Sequence, residues 1–98
     1  MHGVTGKIVA EPGHFDALPA ILLDGVGAMP GCLSDIVAHD PTNPNALWIT
    51  EAWTDTAAQA ASLKLPAVWT AIAKGRPLIA GFGERFTTTP VGSYSLLR

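Results

Sequence analysis

The chain has 98 residues, 48% of them apolar and 14% charged, with a net charge of −2. That length makes one domain, 1–98, with no room for a second core. The six basic residues are scattered, which excludes a phosphate-neutralising stripe and hence nucleic acid as an expected partner. The longest apolar run, Ala17 to Leu23, is far too short to span a bilayer, so no membrane partner is expected.

Val4 to Ala10 is predicted as a short strand, closed by the turn signal Pro12-Gly13. Phe15, Leu18, Leu22, Val26 and Met29 then recur at three- and four-residue spacing, the stripe of an amphipathic helix. Pro19 complicates its start. Either Asp16 caps the helix and Pro19 sits in the tolerant first turn, or the helix begins at His14 and bends; a bend or short 3₁₀ start is the preferred reading.

Gly31 to His39 reads as the second strand, and Asp40-Pro-Thr-Asn-Pro-Asn45 as a turn, because each proline disfavours helix in the residue before it. Ala46 to Thr54 is the third strand. Thr54 or Asp55 caps a helix to about Lys64, which Pro66 restarts and which ends at Lys74-Gly75, a cation followed by a C′ glycine. Phe82 to Thr89 is the fourth strand. The domain core is about 4–90, and residues 91–98 form an arm.

The order β-α-β-β-α-β is the ferredoxin-like α+β arrangement, a four-stranded antiparallel sheet with its helices on one face. An antiparallel sheet with one wet face should alternate cleanly. Here Leu33, Val37, Leu47, Ile49 and Trp53 occupy one parity, and Cys32, Ile36, Ala38, Trp48 and Ala52 the other. Both faces are apolar, yet the helices suffice for one. A second copy docked sheet to sheet, a dimeric α+β barrel, is therefore expected. Burying ~500 Å² of apolar surface per subunit would contribute on the order of 12 kcal/mol before association costs. The low charge content agrees, since a small domain has much surface to keep wet. One cysteine excludes an internal disulfide and suits a reducing compartment, and the N-terminus lacks the layout of a signal peptide, so a cytoplasmic location is expected.

Four stretches, Lys7-Ile-Val-Ala-Glu-Pro-Gly13, Pro30-Gly-Cys32, Glu51-Ala-Trp53-Thr-Asp55 and Ser62-Leu-Lys-Leu-Pro66, resemble the antibiotic biosynthesis monooxygenase (ABM) domain over residues 4 to 90. The resemblance implies a homodimeric α+β barrel. It also implies either a monooxygenase that works on a small phenol- or quinol-like aromatic without cofactor, or a non-catalytic module binding a small apolar metabolite. Haem-degrading relatives use an Asn on the first strand, a Trp on the second helix and a later His. This chain has no such Asn, and it carries Ser62 and Ile72 where the other two would fall. Gln59 and Ser62 also stand where many members have a helix histidine, which leaves no His-based proton relay there.

Cofactor-free oxygenation asks for a dry apolar pocket, a group that assists proton removal and hydrogen bonds to developing charge. Phe15, Trp53 and Trp69 are candidate aromatic walls. Gln59 or Ser62 can hold a substrate oxygen, and Asp35, on an otherwise apolar strand, can act as base if burial raises its pKa. Each has a plainer role: Trp53 as a staple between helix and sheet, Trp69 as core, Gln59 as a solvated helix residue, Asp35 as a strand-edge residue in water. Glu51 is expected to pair with a cation such as Arg85. His2, His14 and His39 form no ligand set, so no metal is expected. Cys32 is a small apolar strand residue. Gly81-Phe-Gly83 precedes a strand and lacks a third glycine, so it is not a dinucleotide loop, and no flavin, nicotinamide or haem is expected.

Overall fold

The computed structural model describes residues 1–14, 16–24 and 29–92, with Asp24 described in its backbone only. Phe15, the helix-stripe residue Val26 and positions 93–98 of the expected arm lie outside the described residues. The elements are β1 (His2–Ala10), α1 (Ala17–Asp24), β2 (Cys32–His39), β3 (Ala46–Trp53), α2 (Thr56–Ser62), α3 (Pro66–Gly75), a 3₁₀ turn at Arg76–Leu78 and β4 (Ile79–Thr88). The strands form one antiparallel sheet in the order β2-β3-β1-β4. This is the ferredoxin-like α+β arrangement the element order predicts.

Local chemistry sets the boundaries. The β2–β3 hairpin closes on Asp40, whose carboxylate accepts from the Thr42 N–H at 2.8 Å and the Thr42 hydroxyl at 2.7 Å. Asp55 caps α2 by accepting from the Ala58 N–H at 2.7 Å. Gly31, before β2, has φ +78° and backs onto α2, where a Cβ would lie 2.6 Å from the Ala58 Cβ. No other residue type meets both demands.

Four expectations need correction. Pro19 sits in the first turn of α1, which begins at Ala17, so its missing N–H removes no interior bond and the first-turn reading replaces the preferred bend. Gly75 is not a left-handed C′ residue. It is helical, with φ −80° and ψ −30°, and is buried where a Cβ would meet Leu18 Cδ1 at 3.3 Å. The chain then continues through the 3₁₀ turn, so β4 starts at Ile79 rather than Phe82. Finally, the β2–β3 register shifts between Cys32 and Ser34, so Cys32 lies beside Trp53 and changes face.

Register assigns the two faces. Ala10 and Leu47 form the core with Leu18 of α1, joined by Ile8, Leu22, Leu78 and Ile79. His2 bonds Gln59 of α2 at 2.6 Å. The helix side of the sheet thus carries His2, Val4, Ile8 and Ala10 of β1. The β3 residues paired with the first three, Trp53, Glu51 and Leu47, lie on the same side, as does Asp35 opposite Glu51. The reverse side carries Thr5, Thr50, Ile36 and Phe86, with Lys7, Trp48 and Ala38 in the adjacent row. Ile36 and Phe86 are 58% and 54% exposed there.

Candidate functional site: a carboxyl pair beside two apolar cavities

Asp35 and Glu51 are cross-strand partners on the helix side. Asp35 is half-buried, and neither carboxyl oxygen is open to water or meets an N–H or O–H donor among the described residues. Its cross-strand neighbour is Glu51, a second carboxyl on the same side of the sheet. Burial first, then the negative charge of Glu51 and the bond between the two, push the Asp35 pKa up to about 7. Asp35 therefore keeps its proton into the neutral range. Burial, then the same two charges, also push the Cys32 thiol up, which leaves it a poor nucleophile.

Glu51 reaches from this pair to a cavity of about 520 Å³ whose walls include Val4, Ile8, Ile49 and Phe82, with Arg85 at the side. A second cavity of about 670 Å³ lies between α1, α3 and β4, against Leu22, Ile72, Ile79 and Phe82. Both fall in the size range of small-molecule sites and have mainly apolar linings.

The other candidate residues sit elsewhere. Trp53 is 1% exposed and lines neither cavity; it packs on the helix side in one row with His2 and Cys32, and its indole N–H has no partner among the described residues. Gln59 is engaged by His2, and the buried Ser62 hydroxyl donates to the Gln59 carbonyl at 2.6 Å. These two polar groups therefore satisfy local partners near Trp53, away from Glu51. Trp69 is 62% exposed on α3 and lines neither cavity, so its expected place in the core is corrected: the apolar stripe of α3 turns Ile72, not Trp69, toward a cavity. Asp35 faces the helices rather than water. Glu51 lines a cavity together with Arg85 without an ion pair to it, whereas Lys7 pairs with Asp40 at 3.7 Å on the reverse side.

Two features escaped the sequence reading. The Asp35–Glu51 pairing was accessible by counting, since each residue lies eight positions from Asn43 in the hairpin turn. Phe82, the aromatic wall common to both cavities, carried its signal in the flanking Gly81 and Gly83, which mark an irregular strand.

Among the described residues, no group of three His, Cys, Asp or Glu side chains converges to hold a metal ion, and no helix is long and apolar enough to cross a membrane.

A four-stranded antiparallel sheet with helices on one side, and an apolar cavity edged by Glu51 against β1, β3 and β4, make this a small α+β domain. The family model for antibiotic biosynthesis monooxygenase matches residues 1–74, and the chain belongs to that family. A solved structure of a proposed antibiotic biosynthesis monooxygenase from Chloroflexus aurantiacus J-10-fl is 54% identical, with a TM-score of 0.92 and coverage of 95% of each chain. One from Deinococcus radiodurans is 24% identical over the whole of both chains, TM-score 0.77. Another from Caulobacter crescentus CB15 is 19% identical over 93% of this chain and 90% of that one, TM-score 0.83. These last two show likeness of fold. A search of the curated proteins finds no match.

Proposed function

We propose that this protein is a monooxygenase that works without a cofactor on a phenol- or quinol-like aromatic, with the Asp35–Glu51 pair as proton acceptor. The observation that carries the reading is a carboxyl pair, one member held to a pKa of about 7, opening through Glu51 onto an apolar cavity. A substrate hydroxyl against Glu51 gives up its proton to the pair. The electron-rich anion then supplies all four electrons that reduce dioxygen: one oxygen atom enters the ring, the ring gives up two hydrogens as it becomes a quinone, and the other oxygen leaves with them as water. The protein's contribution is a low-dielectric pocket, an acceptor poised near neutrality and the Arg85 charge beside the developing oxyanion. The 54%-identical relative, itself described as a proposed antibiotic biosynthesis monooxygenase, supports the oxygenase part of this reading.

Oxygen uptake with a panel of hydroquinones and naphthols tests it. Wild type is expected to consume dioxygen, with kcat/KM rising through about pH 7 as Asp35 loses its proton. Asp35→Asn is expected to lower the rate ~10²-fold or more, the usual worth of a positioned base. Absence of uptake across the panel, with saturable binding retained, would instead make the protein a non-catalytic small-molecule binder.

A further inference from the structure

The two cavities share Ile8 and Phe82 in their linings, and Phe82 is the larger of the two. In β4, Gly83 and Glu84 stand opposite the single Lys7 of β1, because Gly6 pairs with Arg85 and Ile8 with Phe82. This is a β-bulge, and bulges re-aim the side chains beside them. Gly83 permits it: a Cβ there would lie 2.9 Å from Lys7 Cδ. Phe82, next to the bulge, lines both cavities yet remains 75% exposed, so its ring stands in the space between them.

The two halves differ in charge. The smaller cavity contains Glu51, Glu84 and Arg85, together with Lys7, which is paired to Asp40. The larger has one ionisable residue in its lining, Arg76, which has no ion-pair partner among the described residues. Their ends are far apart. Val4, the partner of Glu51, and Ala10, the partner of Ile79, are six residues apart on β1, about 20 Å of strand. A single ring fills only part of that length.

We infer that the two cavities are halves of one ligand site divided by Phe82, and that the site takes an extended aromatic acid lengthwise. Its hydroxyl lies at Glu51, its rings lie against Phe82 and Ile8, and its acid group lies at Arg76. This deepens the proposed function by naming the substrate class, and it rests on that reading for the position of the hydroxyl. Arg76 and Phe82 are then specificity residues: one selects the anion, the other sets how long a body the site admits.

Binding tests this without turnover. The full chain and its variants are titrated with two fluorescent probes, the anionic 1-anilinonaphthalene-8-sulfonate and the neutral N-phenyl-1-naphthylamine. Arg76→Gln is expected to weaken the anionic probe about fivefold, the upper worth of one solvent-screened charge pair, and to leave the neutral probe within about twofold. Arg76→Lys should keep much of the preference. Phe82→Ala should weaken both probes, whereas Phe86→Ser on the reverse face should leave both in place. The inference fails if Arg76→Gln treats the two probes alike, if neither probe binds, or if Phe86→Ser rather than Phe82→Ala abolishes binding. Turnover of neutral hydroquinones is expected to depend on Asp35 and not on Arg76. Failure of oxygen uptake alone would therefore sink the oxygenase reading and leave the binding result standing.

Discussion

On β2 the side chain at position 35 faces the helices, where Val37 two residues on is apolar and Asp35 is not. Holding a carboxylate there beside Glu51 costs the folded state, and the sign follows from the raised pKa. Below the ordinary carboxylate pKa, Asp35 is protonated in folded and unfolded chains alike, and nothing is lost. As pH rises from about 4 toward about 7, the unfolded chain releases its proton while the folded chain retains it, so stability falls. Asp35→Asn, whose amide can donate to the Glu51 carboxylate, should remove this loss. Denaturant unfolding is expected to show the variant more stable than wild type by about 1–2 kcal/mol above pH 7, a value discounted for solvent around a half-buried group, and no more stable below pH 4. The Asp35 anomaly was legible in the sequence as one charge in an apolar run. Its partner needed one further step, counting the hairpin register outward from Asn43, which composition alone does not carry.

Elements were legible where turn and capping chemistry is local. Pro and Asn residues announced the β2–β3 hairpin, and Asp55 announced α2. Asp55→Ala is expected to lower stability by about 1 kcal/mol, the usual loss for an N-cap acceptor, read as a lower unfolding midpoint with unchanged denaturant slope. What failed was tertiary in origin. Gly75 reads locally as a helix stop, but its missing side chain serves the close crossing of α1 over α3 at Leu18, a reason invisible from one element alone. The bulges at Leu33 and at Gly83–Glu84 likewise shift which face a residue occupies. That is why Cys32 changed sides, and why the ring at the centre of the cavities is Phe82 rather than Trp53 or Trp69.

At the scale of the molecule, the unassigned surface is the reverse of the sheet. Ile36, Ala38, Thr50 and Phe86 are exposed there, with Trp48 tied to Asp40 at 3.0 Å and Lys7 5.7 Å from the Trp48 ring centre. We propose that a second copy covers this face. Sedimentation equilibrium is expected to give a dimer for wild type and a shift toward monomer for the paired variant Ile36→Lys/Phe86→Glu; a wild-type monomer at micromolar concentration would refute the barrel. The alternation rule made this face readable from sequence, since apolar residues on both parities of β2 and β3 exceed what the helices on one side can bury.

The activity itself is tested most directly by turnover of a hydroxynaphthoic acid under ¹⁸O₂, with mass spectrometry of the product and no added metal, flavin or haem. One ¹⁸O atom per product molecule is expected, with dioxygen and substrate consumed one to one, and the incorporation should collapse in Asp35→Asn. Oxidation that leaves the product unlabelled and yields hydrogen peroxide would contradict a monooxygenase built on the carboxyl pair.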